Sequence, residues 1–186
     1  MDKHTIKYAL IVILHILALA PLTLFAQIDC ETLPRIAFLP DDLKINQQHI
    51  FCGEWDRDRP KGFHAQPNGK NPSSVARLFI QSKPNKAGVY TIRWKHSRNP
   101  SREKFSSMFP DQCSQQEVLN SIQYASKHEI PCPSNSPGWL QCGRNRPSAV
   151  SQKDDLPYCS DNDTFFTIGL AFDRKGIINT AFPFFE

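Results

Sequence analysis

The six cysteines of the chain constrain its fold more than any other sequence feature. They are Cys30, Cys52, Cys113, Cys132, Cys142 and Cys159. An even number of cysteines without a CxxC pair favours disulfides, each of which typically stabilises a small domain by about 2–4 kcal/mol. The alternative is a zinc site, for which His49-x-x-Cys52 with Cys113 or Cys132 would have to supply the ligands. The sequence alone leaves the pairing of the cysteines open.

The first 26 residues predict an export signal. Two lysines precede the apolar run 9–20, Pro21 ends the run, and Ala26 closes a suitable cleavage site. The run falls short of the roughly 20 residues that a membrane span needs, although an uncleaved membrane anchor is the alternative. We therefore expect a signal peptide at 1–26 and a secreted or periplasmic protein without stable membrane association after cleavage. Disulfides form and persist in such oxidising compartments.

Length and charge narrow the class of protein. A chain of 186 residues suits one domain and argues against a multidomain enzyme. The hydrophobic fraction of 40% is that of a globular protein rather than a disordered one. With 22 Lys and Arg residues against 18 Asp and Glu, the net charge is +4, which permits a polyanionic partner without requiring one.

Local patterns predict an α+β domain in which strands outnumber helices. Residues 27–48 form a lead-in segment, and β-branched and aromatic residues predict strands over 75–81 and 87–95. Residues 96–104 read as a basic loop. A capping box at Ser114 predicts that a helix begins there.

The second half of the chain divides into that helix, a loop and a hairpin. Val118, Ile122 and Ala125 recur at i, i+4 and i+7 and form the apolar stripe of the helix. The Cys- and Pro-rich stretch 129–163 lacks periodicity and predicts a long loop held by disulfides. Two β-rich runs around a short turn predict a terminal hairpin over 164–186.

Two histidines beside glycines are the first candidates for chemistry. His49 opens the run HIFCGE, and His64 closes the run GFH, in which Gly62 would let the backbone approach a ligand closely. A single histidine is more often a structural or surface residue than a catalyst. Two histidines near glycines raise the expectation of a site only modestly.

Lys104 is the candidate cation. It is followed by Ser106 and Ser107, and in this position a lysine before a helix can meet an anionic group. The alternative is that Lys104 belongs to a solvated basic loop.

Two histidines and a lysine suffice to cleave RNA. One imidazole takes the proton from the ribose 2′-OH and the other protonates the departing 5′ oxygen, which is feasible near neutrality because the histidine pKa is ordinarily about 6.5. The lysine would stabilise the negative charge that develops on phosphorus. DNA lacks the 2′-OH and would not be cleaved.

Four motifs resemble the EndoU endoribonuclease family, and its bacterial branch most of all. In chain order they are HIFCGE (49–54), GFH (62–64), KFSSM (104–108) and INTAFP (178–183). The resemblance spans 49–186 and implies an EndoU-like catalytic domain. The implied fold is α+β, with small antiparallel β-sheets and flanking helices, and is related to the barnase, colicin and RelE group.

The resemblance also implies roles for single residues. It makes His49 the general acid, His64 the general base and Lys104 the catalytic lysine. Gly62 would hold the phosphate through its backbone, and Thr180 would hydrogen-bond the base edge with a preference for uridine. Phe182 stands where a tyrosine is common, so the ring would stack on ribose or base without the hydroxyl. Ser106 and Ser107 complete the substrate-binding residues that we expect.

The expected activity is therefore cleavage of single-stranded RNA to a 2′,3′-cyclic phosphate, with no required cofactor. Some members of the family respond to manganese, so stimulation by Mn²⁺ is compatible with the resemblance, whereas a structural metal is not expected. The alternative function is a non-catalytic, disulfide-rich module that binds RNA or protein. The same nuclease could also serve as an interbacterial toxin, which would have an immunity protein as its partner.

Overall fold

The computed structural model describes residues 27–148 and 156–186, and the predicted signal peptide at 1–26 lies outside the described residues. Within these ranges the chain forms eleven strands, two α-helices and a 3₁₀ turn. In chain order they are β1 (Ile36–Phe38), β2 (Lys44–Asn46), α1 (Gln47–Phe51), β3 (Glu54–Asp56), β4 (Arg59–Lys61), the 3₁₀ turn Pro67–Gly69, β5 (Val75–Ser82), β6 (Tyr90–His96), β7 (Glu103–Met108), α2 (Gln115–Lys127), β8 (Glu129–Ile130), β9 (Gln141–Arg144), β10 (Thr167–Phe172) and β11 (Ile178–Pro183). The prediction of an α+β fold built from small sheets is confirmed.

The strands form three sheets. The largest has the order β1-β2-β11-β10-β9-β8, and all its pairs are antiparallel except β2 with β11. The lead-in segment 27–48 therefore supplies two strands to this sheet. A second sheet has the order β5-β6-β7, and β3 and β4 form a short hairpin. In the second sheet β7 is an edge strand.

The helix α2 follows the sequence prediction closely. Ser114 Oγ accepts a hydrogen bond from Glu117 N, and the Glu117 side chain accepts one from Ser114 N, so the capping box is confirmed. Val118, Ile122 and Ala125 are fully buried. They belong to a core that also holds Ile168, Leu170 and Ile178 of the large sheet. A second core lies under β6 and β7, around Phe63, Tyr90, Ile92, Trp94 and Met108.

The sequence-based prediction was wrong for two segments. The basic loop predicted at 96–104 ends early, because Glu103 and Lys104 already pair with β6 in the strand β7. The loop predicted over 129–163 contains β8 and β9, and β9 lies between β8 and β10 in the large sheet. These short strands have no clear alternation, since long-range pairing rather than local pattern specifies them.

All six cysteines form disulfides. The pairs are Cys30–Cys52, Cys113–Cys159 and Cys132–Cys142. Three disulfides in one small domain are typical of an oxidising environment. Among the described helices, none is long and apolar enough to cross a membrane.

The contact between β9 and α2 generates the first testable prediction. A Cβ atom on Gly143 would lie 2.1 Å from the backbone oxygen of Ala125, so Gly143→Ala would force β9 away from α2. We expect it to lower the free energy of unfolding by about 1–3 kcal/mol or more. Urea denaturation with the disulfides intact measures the change. Gly138→Ala is the matched control, because a Cβ atom there meets nothing within 4 Å. Equal stability of the two variants would contradict this packing.

Candidate active site

One cavity of about 310 Å³ brings together every residue that the sequence singled out. It lies beside the edge strand β7, where β4 and β11 approach that strand. The eight expected residues that line it are His49, Gly62, His64, Lys104, Ser106, Ser107, Thr180 and Phe182. Lys61 and Phe105 line it as well.

The two histidines are held together by backbone hydrogen bonds. His49 lies in α1, where the N-cap residue Asn46 accepts a hydrogen bond from His49 N at 3.2 Å. Phe63 N donates to His49 O at 2.7 Å, and His64 N donates to Ile50 O at 2.7 Å. The two imidazole rings consequently lie with their centroids 6.2 Å apart. Both histidines are 7% exposed.

Gly62 makes this approach sterically feasible. Its φ of +68° is in the left-handed region, and a Cβ atom would lie 2.0 Å from His49 O. The glycine is therefore required by the packing of the two histidine segments. Its role in holding a phosphate, which the family resemblance implies, stays a prediction.

Glu54 sets the orientation of the His49 ring. His49 Nδ1 lies 2.8 Å from Glu54 Oε2, and because an ionised carboxylate can only accept, Nδ1 carries a proton. Burial opposes ionisation of Glu54, but hydrogen bonds from His49 and Asn46 and the charges of His49 and Arg35 outweigh it. These contacts lower the pKa of the Glu54 carboxyl. The hydrogen bond through Nδ1 turns Nε2 of the His49 ring away from Glu54.

His64 has the opposite environment. Its Nδ1 lies 3.0 Å from the backbone oxygen of Ser107, so Nδ1–H donates and Nε2 is unprotonated in the neutral ring. Burial, with the charges of Lys104 and His49, holds the pKa of His64 well below its ordinary value of 6.5. A neutral imidazole with a free Nε2 is suited to accept a proton. The two histidines therefore have different partners in one cavity, a carboxylate for His49 and a backbone carbonyl for His64.

Lys104 lies in the strand β7, not in a loop before a helix as the sequence suggested. Lys104 Nζ donates to Ser106 Oγ at 2.8 Å and to Phe105 O at 2.9 Å. Burial lowers the pKa of the ammonium group to about 8. The side chain is therefore mainly a cation at pH 7, held against the wall of the cavity.

Ser106 and Ser107 act on neighbouring protein groups. Ser106 Oγ donates to Gly62 O at 3.1 Å, and it accepts from Trp94 Nε1 at 3.1 Å as well as from Lys104. All of its hydrogen-bonding capacity is used within the protein. Ser107 contributes the backbone oxygen that orients His64. Contact of either serine with substrate stays a prediction.

Thr180 and Phe182 form one wall of the cavity, and the large sheet supplies this wall. They are two residues apart on β11, so their side chains lie on the same face of the strand. The Phe182 ring centroid lies 5.5 Å from that of His64. A planar group bound against Phe182 would therefore lie beside the histidine base.

Comparison with known protein families gives a match that spans most of the chain. The family model for the bacterial EndoU nuclease matches residues 44–184. The chain belongs to this family. Membership makes the protein a nuclease, and the matched range contains the whole cavity. Comparisons with curated proteins and with solved structures gave no match.

One polar neighbour of the nuclease site escaped the sequence reasoning. Glu54 closes the HIFCGE motif, five residues after His49, and an acidic residue at that spacing was the available signal. Lys61 forms an ion pair with Asp56 across the β3–β4 hairpin and lies next to Gly62. It adds a second cation to the cavity.

The manganese response that the family resemblance allows has no evident donor set here. Within 27–148 and 156–186, no group of three or more His, Cys, Asp or Glu residues is placed to hold a metal ion. We therefore derive no catalytic step through a metal.

The contact between Glu54 and His49 gives the second prediction. Glu54→Gln removes the carboxylate that accepts a hydrogen bond from His49 Nδ1 and orients the ring, so we expect kcat for nucleic-acid cleavage to fall by about 10–10²-fold with little change in KM. The ¹⁵N chemical shifts of the His49 ring should change with it. Glu103→Gln is the control, since that carboxylate pairs with Arg93 outside the cavity. Equal effects of both substitutions would contradict a positioning role for Glu54.

Proposed function

We propose that this nuclease is an endoribonuclease that cleaves single-stranded RNA on the 3′ side of uridines and leaves a 2′,3′-cyclic phosphate. The observation that carries the proposal is the pair of histidines in one cavity, where His49 bonds a carboxylate and His64 bonds a backbone carbonyl beside Lys104. His64 is held neutral by burial and nearby charge, whereas His49 pairs with an ionised Glu54. This arrangement provides one base and one acid for a single in-line displacement.

The first half of the reaction needs a base. His64 Nε2 takes the proton of the ribose 2′-OH, and the 2′ oxygen forms a bond to the phosphorus. Because DNA lacks this hydroxyl, a DNA strand offers no nucleophile. Negative charge develops on the non-bridging oxygens, where the Lys104 ammonium lies within the same cavity and can stabilise it.

The second half needs an acid. The bond between phosphorus and the 5′ oxygen breaks, and His49 Nε2–H donates its proton to the departing oxygen. The cyclic phosphate and a free 5′-OH are the products, and the proton balance is complete without water. His64 ends with the proton of the 2′-OH, His49 ends without the proton that it gave to the 5′ oxygen, and exchange with solvent restores both.

Base selection is assigned to β11. The Phe182 ring can stack on the base, which is worth about 1–3 kcal/mol, and the Thr180 hydroxyl can bond its edge. Phenylalanine supplies no hydroxyl of its own, so Thr180 is the side chain that reads uridine. We further propose that the protein acts outside the cytoplasm, which its three disulfides support. Use as a toxin with an immunity protein stays a prediction.

Defined oligonucleotides test the chemistry. An RNA with one uridine should be cut after that uridine and yield a 2′,3′-cyclic phosphate, identified by mass spectrometry. One 2′-deoxyuridine at that position should abolish the cut. We expect His49→Ala and His64→Ala to lower the rate by about 10²–10⁴-fold each. His128→Ala is the control, because His128 caps the far end of α2 against Tyr124. Cleavage of the deoxyuridine strand would refute the mechanism.

The pH dependence tests the electrostatics of His64. Because the pKa of His64 lies below 6.5, the acid limb of kcat/KM should lie below pH 6.5. Lys104→Met removes a neighbouring positive charge, which raises the pKa of His64 and moves the acid limb to higher pH. NMR titration of His64 and the pH profile measure the shift. Lys61→Met should leave the acid limb in place, since the charge of Lys61 does not contribute to the lowered pKa. A shift with Lys61→Met alone would make Lys61 the functional lysine.

A further inference from the structure

A second cavity of about 410 Å³ opens directly off the catalytic one. We call it the aromatic groove. It shares Phe105, Ser107 and Phe182 with the catalytic cavity. Thr91, Phe184 and Phe185 line it as well. Its volume lies within the range of about 300–1,000 Å³ that is typical of small-molecule sites.

The walls of the groove are aromatic and open to solvent. Phe105 is 51% exposed and Phe185 is 42% exposed, which is unusual for rings beside a catalytic site unless a ligand covers them. The Phe182 and Phe184 ring centroids lie 5.5 Å apart. The backbone holds this wall in place, since Phe184 N donates to Thr167 O at 2.8 Å and Asn85 Nδ2 donates to Glu186 O at 2.8 Å.

The floor of the groove is polar. Ser82, Thr91 and Ser107 are cross-strand neighbours on β5, β6 and β7, and all three line the groove. Thr91 is 3% exposed, and its hydroxyl is one of two buried side-chain polar atoms in the described residues that lack a hydrogen-bond partner. Leaving such a group unpaired is unfavourable, so a bound ligand with polar edges would satisfy it.

A flat ligand with apolar faces and hydrogen-bonding edges fits both walls and floor. A nucleobase has this chemistry, and stacking on aromatic side chains is the usual way in which single-stranded RNA is bound. Because the groove is continuous with the catalytic cavity at Phe182, the base would belong to a nucleotide next to the cleaved uridine.

The position of the catalytic acid decides which neighbour this is. His49 protonates the departing 5′ oxygen in the proposed reaction, so the nucleotide on the 3′ side lies towards His49. On that side the catalytic cavity meets a polar cleft of about 480 Å³, which His49 and Lys61 also line. The aromatic groove meets the catalytic cavity at Phe105, Ser107 and Phe182 instead, and neither His49 nor Lys61 lines it.

We propose that the aromatic groove is a second base-binding subsite, which takes the base on the 5′ side of the cleaved uridine. The Phe184 and Phe185 rings stack on this base, and the Thr91 hydroxyl bonds its edge. The inference rests on the proposed function and deepens it. The nuclease then recognises a dinucleotide unit, with the chemistry at the 3′ phosphate of its second nucleotide.

Three short RNAs test the subsite. They are the dinucleotide UpA, the trinucleotide ApUpA, and a trinucleotide with an abasic unit in place of the first adenosine. We expect kcat/KM for ApUpA to exceed that for UpA by about tenfold. The abasic trinucleotide should behave like UpA, because it adds the phosphate without the base.

Two substitutions test whether the higher kcat/KM for ApUpA comes from the groove. Phe185→Ala and Thr91→Val should each reduce the ratio of ApUpA to UpA rates. Phe172→Ala is the matched control, since Phe172 is also 42% exposed but lies on β10 outside the groove. Thr91→Val keeps the side-chain shape and removes an unpaired buried hydroxyl, so its melting temperature should not fall. A lower ratio with retained stability separates binding from folding.

The outcomes separate this inference from the proposed function. Equal rates for all three RNAs, or an unchanged ratio in both variants, would overturn the subsite and leave the ribonuclease intact. If Phe185→Ala lowers the cleavage rates of UpA and ApUpA equally, the groove holds the base on the 3′ side of the cut. That result would also overturn the inference. If no uridine-containing RNA is cleaved, both proposals fail.

Discussion

Backbone hydrogen bonds between the segment 62–65 and the carboxyl end of α1 hold the active site together. Phe63 and His64 donate to the carbonyl oxygens of His49 and Ile50, so the two histidine segments contact each other directly. Gly62 permits this contact because any Cβ atom would overlap His49 O. The next link is to the end of β7, where Ser107 O accepts from the His64 ring and Phe109 N, just after the strand, donates to His64 O.

Removal of water then gives each group in the cavity its chemical role. Burial lowers the pKa of both His64 and Lys104, and the positive charge of Lys104 lowers that of His64 further. His49 instead has a carboxylate partner, Glu54, at 2.8 Å. Two identical side chains therefore have different surroundings although their ring centroids are 6.2 Å apart. In the proposed reaction, environment rather than residue type distinguishes the base from the acid.

The cavity lies between two hydrophobic cores. α1 and β11 belong to the core of the large sheet, whereas β6, β7 and Phe63 belong to the smaller core. The catalytic groups come mainly from the contact between these units, and β11 with the residues after it supplies the aromatic side chains. In the proposed mechanism, this division separates proton transfer from base recognition.

The sequence by itself determined α2, including its capping box and buried stripe, and it named eight of the ten residues that line the cavity. These features depend on neighbours a few positions away or on short motifs. Only the tertiary structure decided the disulfide pairs, the strand position of Lys104, the use of Ser106 within the protein and the pairing of β9. It also revealed the groove that Thr91 and Phe185 share. The physical reason is distance along the chain: His64 meets Ser107 across 43 residues, and Ser106 meets Gly62 across 44. Contacts of this range leave no local periodicity, so folding alone brings them together.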